Sequence, residues 1–383
     1  MKLLTLAAIT LLSTPAALVA APPTASSIQQ LAASSFAPAI EEYKIPGLVV
    51  GVTLHGESFF YATGFASREE NTAITPDTLF ELGSVSKLFN VSLAALAEAR
   101  GDLTLNEPVA TRLPELEGTP FGALTLMDLA THHSGGLPLQ VPDSVEDTEA
   151  LLEWLAHWQP PHPETRSYSN ISIGMLGHIT AKALNKDYAD AVEQDLFPAM
   201  GLKNTWVNIP EQAMNRYAYG YDRETDLPVR VNPGVLADEA YGVKSSALDM
   251  VHFLDLQLEH ADTSTPVSTA LKRIRQGQGR TADYVQDMVW EQYPWPISAE
   301  QMVQGNSYAY ILEPQPMERI EPPLQPRESV ILNKTGATNG FGAYVALLPE
   351  EDLGVVVLAN RNFPNEARVQ ATHAFIQRML ETH

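Results

Sequence analysis

A serine and a lysine three positions apart, Ser84 and Lys87 in the segment FELGSVSK, are the first residues of this 383-residue sequence whose types and spacing suggest chemistry. A serine hydroxyl becomes a nucleophile when a base takes its proton, and a buried lysine can lose its own proton and act as that base. If a helix begins at about Ser84, residues i and i+3 share one face, so the two side chains meet. A serine near a helix start beside an exposed lysine would show the same pattern, so the pair alone does not decide between a nucleophile and a structural serine.

Two later segments supply further polar groups, and each motif occurs once. RSYSNISIGMLGHI contains Tyr168 and Asn170, a potential base and an amide donor two positions apart on a predicted loop. ILNKTGATNGFG contains Lys334, Thr335 and Gly336, which offer a cation, a hydroxyl and a strand residue without a side chain, so that a substrate backbone can lie against the strand. Each motif has a structural explanation by itself, such as a packed tyrosine or a surface lysine. Together and in this order, the three motifs predict one catalytic cleft.

The elements that must position these motifs fall into three zones. A helix with apolar periodicity from Ser26 to Lys44 precedes two apolar runs that form a hairpin around His55 and Gly56. The middle is rich in helical stretches, and the last zone returns to strands before an amphipathic helix, NEARVQATHAFIQRMLETH. This order predicts an α+β fold, in which N- and C-terminal strands form an antiparallel sheet flanked by the terminal helices, with an inserted, mostly helical domain. We expect residues 21–83 and 301–383 to form one domain, residues 84–300 the other, and the active site to lie in the cleft between them.

The first residues, MKLLTLAAITLLSTPAALVAA, differ in character from the rest of the chain. A positive charge at Lys2, an apolar run from Leu3 to Leu12 and small residues around Val19 to Ala21 predict a secretory signal peptide over residues 1–20. The alternative is an uncleaved membrane anchor, for which the apolar run is short. We therefore expect a periplasmic protein that is not attached to a membrane once the signal is removed.

Composition narrows the choice of partners. The chain has no cysteine, which rules out thiol catalysis and thiolate metal sites. Its formal net charge of -22 disfavours binding to nucleic acid and to anionic membranes. We expect no cofactor, and a monomer is the default expectation.

The three motifs resemble those of the serine β-lactamase and penicillin-binding-protein superfamily, which carries Ser-x-x-Lys, then Ser/Tyr-x-Asn, then Lys-Thr/Ser-Gly. The tyrosine of the second motif is similar to that of class C β-lactamases, the cephalosporinase type. The resemblance runs through most of the chain after the signal, in the segments GGLPLQVPD, YSNISIGMLG, EAYGVKSS, NKTGATNGFGAYVALLPE and GVVVLANRNFPNEAR. It implies an enzyme that opens the lactam ring of cephalosporins and penicillins through an acyl-enzyme and confers resistance to them.

The resemblance also implies a role for each site residue. Ser84 attacks the lactam carbonyl, Lys87 helps to remove its proton, and Tyr168 relays the proton to the leaving nitrogen and helps to activate water. The N–H groups of Ser84 and Ala337 are implied to bind the oxyanion. The substrate carboxylate would be bound by Lys334, which is also counted as catalytic, with Thr335, Asn365 and Arg368. The amide side chain of the substrate would be bound at an amide site made of Gln140 and Asn170, Tyr241 would form a wall of the pocket, and Asn362 would lie near the cleft.

Two adjacent histidines, His132 and His133 in THHSGG, depart from what the resemblance leads us to expect. Adjacent side chains on a loop rarely share one ion, and no third ligand is near them in the sequence, so we expect no metal site. Solvent-exposed or capping histidines are expected instead.

Three other functions fit parts of the pattern. A D-alanyl-D-alanine peptidase, or penicillin-binding protein, shares all three motifs and forms the same acyl-enzyme. A serine esterase on the same scaffold would not need the carboxylate-binding residues, and a β-lactam sensor would normally need a membrane span. The class C-like segments outside the motifs favour the β-lactamase, with the peptidase second.

Overall fold

Strands from both ends of the chain form one large antiparallel sheet. The structure, a computed structural model, describes residues 24–381. Ten strands pair in the spatial order β14-β10-β11-β12-β15-β16-β17-β1-β2-β3, and β4, β9 and β6 form a smaller sheet beside it. The strands are β1 (Gly47–Leu54), β2 (Glu57–Ser67), β3 (Thr72–Ala73), β4 (Leu79–Glu81), β5 (Thr165–Arg166), β6 (Thr205–Trp206), β7 (Gly220–Tyr221), β8 (Pro228–Val229), β9 (Lys244–Ser246), β10 (Gly277–Arg280), β11 (Val285–Gln286), β12 (Glu291–Pro294), β13 (Gln315–Pro316), β14 (Glu318–Leu324), β15 (Val330–Ala337), β16 (Gly342–Leu348) and β17 (Leu353–Ala359).

Helices cover both faces of this sheet. One face carries the first and last helices, and the other carries the helical middle of the chain. The helices are α1 (Ala25–Glu42), α2 (Lys87–Arg100), α3 (Pro120–Ala123), α4 (Leu126–Ala130), α5 (Thr148–His157), α6 (Asn170–Ala183), α7 (Tyr188–Asp190), α8 (Phe197–Ala199), α9 (Ala237–Ala240), α10 (Ala247–Gln257), α11 (Thr265–Ile274), α12 (Ala299–Gly305), α13 (Tyr308–Leu312) and α14 (Asn365–Glu381).

The central strands are buried on both faces, which explains their continuous apolar sequence. Leu48 and Val50 of β1 point toward the terminal helices, where Phe36 and Phe375 pack with ring centroids 6.1 Å apart. Val49 points the opposite way, into the core shared with the helical middle. Alternate residues of a strand face opposite sides, so a strand covered twice needs apolar residues at every position.

Helix α2 forms the centre of the helical part, directly after the serine motif. Its residues from Leu88 to Ala97 are all buried, because α2 packs between other helices rather than on the surface. Gly101 ends the helix in a left-handed conformation with φ of +85°, which glycine adopts without strain. The helix that carries Lys87 is therefore held firmly from all sides.

The predicted α+β class is confirmed, as are the hairpin of β1 and β2 and both terminal helices. Strands β10, β11 and β12 lie within residues 84–300, which the sequence indicated as mostly helical, yet they pair within the large sheet. They are two to four residues long and contain glycine and glutamine, so they show no apolar alternation. The domain boundaries stay a prediction, and the signal peptide over residues 1–20 lies outside the described residues. In the part of the chain that is described, no helix is both long and apolar enough to span a bilayer.

Candidate active site

A cavity of about 400 Å³ lies in the cleft between the large sheet and the helical part. Lys87 and Lys334, the two lysines predicted to be catalytic, are buried next to it. The motifs thus meet in one place although they are far apart in the sequence. Eight of the predicted residues line the cavity: Ser84, Gln140, Tyr168, Asn170, Tyr241, Thr335, Ala337 and Asn365.

Ser84 lies in a tight turn just before helix α2. Gly83–Ser86 form a 3-10 turn, which we call the nucleophile turn, and α2 begins at Lys87. The helix therefore starts three residues later than the sequence indicated. The predicted contact survives, because side chains three positions apart also lie above one another in a 3-10 turn.

Two glycines allow strand β15 to approach the nucleophile turn closely. A Cβ atom on Gly336 would lie 2.1 Å from Leu82 O and 3.1 Å from Ser84 N. At Gly83, where φ is +51°, a Cβ atom would lie 2.4 Å from Ala337 N. The nucleophile turn fills the space that a side chain on Gly336 would need, and Gly336 also lines the cavity, so its predicted contact with a substrate backbone stays a prediction. The close approach brings the N–H groups of Ser84 and Ala337 near each other, as an oxyanion site requires.

The ammonium group of Lys87 contacts Ser84 directly. Its Nζ donates hydrogen bonds to Ser84 Oγ and to Ala240 O, both at 2.9 Å. Burial disfavours the charged form and lowers the pKa of Lys87 to about 8; Tyr168 opposes this effect and Lys334 adds to it. With this pKa, Lys87 supplies some neutral amine near neutral pH, which a proton acceptor for Ser84 must do.

Tyr168 lies between two lysines. The Nζ atoms of Lys87 and Lys334 are 5.2 Å and 5.1 Å from the centre of its ring. Burial alone would raise the pKa of Tyr168, but the charges of Lys334 and Lys87 and an interaction with Ser84 outweigh burial and lower it to about 8. Because Lys87 and Tyr168 interact and have similar pKa values, their titrations belong to the pair.

Lys334 belongs to a buried group of charges that the sequence analysis missed. Its Nζ lies 3.6 Å from Glu291 Oε1, and Nη2 of Arg166 lies 3.6 Å from the same oxygen. Arg166 Nε donates a hydrogen bond to Gln286 Oε1 at 2.6 Å. No sequence signal marks these partners as a group, because Glu291 and Gln286 come from β12 and β11, the strands that went unrecognised.

The structure brings together Gln140 and Asn170, the two residues of the predicted amide site. Asn170 Nδ2 donates a hydrogen bond to Gln140 Oε1 at 2.9 Å, and both residues line the cavity. Asn170 is the first residue of helix α6 rather than a loop residue, because Ser169 caps that helix by accepting the N–H of Ser172. The cap fixes the backbone directly after Tyr168.

Arg368 does not reach the cavity, contrary to its implied role in binding the substrate carboxylate. The side chain has no exposed surface. Its guanidinium donates to Gly336 O at 2.6 Å, to Phe363 O at 2.9 Å and to Asn362 Oδ1 at 2.8 Å. Carbonyl oxygens thus accept the hydrogen bonds of this buried guanidinium group. Arg368 connects β15 to the start of α14 and does not face the cavity. Asn365, at that start, does line the cavity.

The histidine pair is buried, so the expectation that these histidines are exposed to solvent is wrong. The exposed fractions of His132 and His133 are 1% and 3%. His132 Nδ1 accepts the N–H of Ser169, the residue that caps α6, and its ring packs on Tyr168 with centroids 4.6 Å apart. His133 Nδ1 lies 3.7 Å from Asp128 Oδ1. Across residues 24–381 no three histidine, aspartate or glutamate side chains are grouped so as to hold a metal ion.

Comparison with protein families identifies the family to which the chain belongs. A family model described as Beta-lactamase matches residues 28–377 of the chain. The chain belongs to the β-lactamase family. A curated β-lactamase from Pseudomonas fluorescens is 40% identical over 357 residues, which cover 93% of this chain and 99% of that protein.

Solved structures narrow the type of β-lactamase. A class C β-lactamase from Rhodobacter sphaeroides superposes with a TM-score of 0.90 at 60% identity, covering 92% of this chain and 99% of that one. A protein from Pseudomonas syringae described as β-lactamase/D-alanine carboxypeptidase superposes with a TM-score of 0.89 at 42% identity, covering 92% and 99%. The chain is therefore a β-lactam-hydrolysing serine enzyme of the class C type.

Proposed function

We propose that this class C β-lactamase is exported and hydrolyses cephalosporins and penicillins through an acyl-enzyme on Ser84. One observation carries the proposal: Lys87 Nζ lies 2.9 Å from Ser84 Oγ, at a cavity that Tyr168 also lines. A nucleophile, a group able to take its proton and a second titratable group are thus within reach of one substrate.

Acylation begins when Ser84 Oγ attacks the carbonyl carbon of the lactam and its proton passes to the Lys87–Tyr168 pair. The carbonyl oxygen becomes negative and accepts the N–H groups of Ser84 and Ala337. The carbon–nitrogen bond of the ring then breaks, and the nitrogen takes a proton from Tyr168. An ester on Ser84 remains, and the former ring nitrogen now carries a hydrogen.

Deacylation uses the same groups with water as the nucleophile. Water attacks the ester carbonyl while the Lys87–Tyr168 pair takes its proton, and the same N–H groups hold the oxyanion. The ester bond to Ser84 breaks, Oγ takes back the proton, and the open acid leaves. A pair with pKa values of about 8 can accept and return a proton near neutral pH.

Substrate orientation depends on charge at one end of the cavity and amides at the other. Lys334, Thr335 and Asn365 offer a cation, a hydroxyl and an amide to the carboxylate of the substrate. Gln140 and Asn170 offer amide groups to the acylamino side chain. Tyr241 forms the adjoining wall.

Turnover of a chromogenic cephalosporin and of benzylpenicillin, with intact protein mass recorded during the reaction, tests the proposal. We expect many turnovers per enzyme molecule and a loss of at least about 1,000-fold in kcat for Ser84→Ala. Ser92→Ala is the matched control, because Ser92 lies buried in α2 and donates only to Leu88 O. A stable adduct on Ser84 without turnover would contradict hydrolysis as the function.

D-alanyl-D-alanine carboxypeptidase activity is the second candidate, because the Pseudomonas syringae relative is described with both activities. It requires the same acyl-enzyme with a peptide in place of the lactam. Release of D-alanine from an acyl-D-alanyl-D-alanine tripeptide, measured beside cephalosporin turnover, ranks the two activities. We expect the lactam to be the better substrate by kcat/KM.

Export to the periplasm rests on the charged start, apolar run and small residues within residues 1–20. N-terminal sequencing of the protein from a periplasmic extract should give a first residue close to position 21. Light scattering of the mature enzyme should give the mass of one chain, as we propose for a monomer.

A further inference from the structure

His132 contacts the chain on both sides of Tyr168. Its carbonyl oxygen accepts the N–H of Ser167 at 2.8 Å, and its Nδ1 accepts the N–H of Ser169 at 3.3 Å. Its imidazole also packs on the phenol ring, with centroids 4.6 Å apart and planes inclined by 51°. One residue therefore restrains the backbone before and after Tyr168 and the plane of its ring.

The backbone at His132 explains how the ring reaches this place. Its φ is +57°, in the left-handed region that histidine and asparagine adopt more readily than most residues. The turn directly follows helix α4, which ends at Ala130, and the N–H of His133 donates to Asp128 O at 2.9 Å. The imidazole is thus held by a short, hydrogen-bonded turn on a buried helix.

The surroundings of His132 favour a neutral imidazole. Burial lowers the pKa of His132 well below its usual value, and the charges of Arg166, Lys87 and Lys334 lower it further. Because Nδ1 accepts a hydrogen bond, the proton is on Nε2, which has no partner among the described residues. A buried N–H without a partner is destabilising, so packing alone would favour an apolar residue here. The acceptor at Nδ1 gives a reason for histidine that packing does not.

We propose that His132 is a positioning residue, which holds Tyr168 in place for proton transfer through its Nδ1 acceptor and its stacked ring. The inference rests on the proposed role of Tyr168. A displacement of a reacting group by about 1 Å can lower a rate about 100-fold. His132 does not line the cavity, so its loss should act on kcat and leave KM nearly unchanged.

Three substitutions separate the acceptor from simple packing. In His132→Asn the side-chain oxygen can occupy the place of Nδ1, and asparagine tolerates the left-handed backbone. In His132→Gln the amide lies at the place of Nε2, and in His132→Leu there is no acceptor. We expect kcat to fall about 10- to 100-fold in the glutamine and leucine variants, and the asparagine variant to recover most of that loss. His133→Asn is the control, since this adjacent buried histidine lies at Asp128, and it should keep its kcat.

Thermal unfolding of each variant shows that it is folded before kinetics are compared. The inference is overturned if the asparagine and glutamine variants have equal kcat, or if a folded His132→Leu keeps kcat within about twofold of the wild type. If the leucine variant does not fold, the asparagine–glutamine comparison decides alone.

Tyr168→Phe, alone and combined with His132→Gln, distinguishes this inference from the proposed function. Full turnover by Tyr168→Phe would mean that the role of Tyr168, and not only its positioning, is wrong. An inactive Tyr168→Phe beside fully active His132 variants would overturn the positioning role alone. We expect no further loss in the double variant, because a positioning residue acts only through the group that it positions. An additive loss would show that His132 acts elsewhere and would overturn the inference.

Discussion

Replacing Lys334 by methionine should raise the pKa of Tyr168, because the variant lacks a positive charge that favours the phenolate. Lys334 Nζ lies 5.1 Å from the centre of the Tyr168 ring, and both side chains are buried. At an effective dielectric constant of about 20, unit charges about 5 Å apart interact with roughly 3 kcal/mol, which corresponds to about two pKa units. The pKa of Tyr168 should therefore rise from about 8 toward 10. Lys334→Arg retains the charge and should leave it close to 8.

The direct measurement is NMR titration of the enzyme labelled at the ζ carbon of tyrosine. The chain has 13 tyrosines, so the resonance that disappears in Tyr168→Phe identifies the one of interest. The acid limb of the pH profile of kcat/KM should move upward with this resonance. A Tyr168 resonance that titrates at the same pH in wild type and Lys334→Met would refute the electrostatic argument, whatever happens to substrate binding.

Three further substitutions test other features of the structure. Burial would raise the pKa of Asp128, but His133 and Arg319 outweigh burial and lower it to about 2. The Asp128 carboxylate therefore stabilises the protein above pH 3.8, and this stabilisation is lost as the pH falls through 2. Asp128→Asn should lower the free energy of unfolding by about 2 kcal/mol at pH 7 and by little at pH 2. Gly336→Ala would place the new Cβ atom 2.1 Å from Leu82 O, directly before the nucleophile turn, and should lower kcat/KM at least about 100-fold. Gly234→Ala should leave kcat/KM unchanged, because the nearest atom to its new Cβ would be 3.6 Å away. Burial raises the pKa of Glu239 to about 7, so its ionisation opposes folding above pH 4.5. In urea unfolding, Glu239→Gln should stabilise the protein by about 3 kcal/mol at pH 8 but not at pH 4.

The sequence was informative where one local signal determines the structure. Ser84 and Lys87 meet because three-residue spacing aligns side chains in a 3-10 turn as well as in an α-helix. The hairpin of β1 and β2 has long apolar strands and a two-residue turn at His55 and Gly56, so it could be predicted from pattern alone.

The buried charges around Lys334 could not be predicted in this way. Glu291 and Arg166 are 125 positions apart in the chain, and each would be expected at the surface by residue type. Glu291 lies close to Lys334 because β12 pairs with β15, and short strands such as β12 carry no periodic signal. A burial pattern of this kind depends on which strands become neighbours, and that follows from the whole fold.

Arg368 and Gly336 show a second limit, which concerns function rather than fold. Arg368 was predicted to contact the substrate, whereas its guanidinium group contacts the protein. Gly336 lines the cavity, and its lack of a side chain also lets β15 approach the nucleophile turn. Arg368 Nη1 donates to Gly336 O at 2.6 Å, so the two residues together hold the end of β15 against the nucleophile turn. A motif can identify a residue as necessary without showing whether it binds substrate or shapes the strand that does.

The charges at the site also link substrate binding to proton transfer. Three cations, Lys87, Lys334 and Arg166, lie 5.1 to 5.5 Å from the ring centre of Tyr168, and Glu291 balances only part of this charge. The excess positive charge favours the phenolate in the free enzyme, which suits a base that must take a proton from Ser84. In the mechanism that we propose, a substrate carboxylate at Lys334 reduces that excess and raises the affinity of Tyr168 for the proton. The proposed proton donor to the leaving nitrogen then holds the proton, so one lysine would couple the binding of an anionic substrate to the direction of proton transfer.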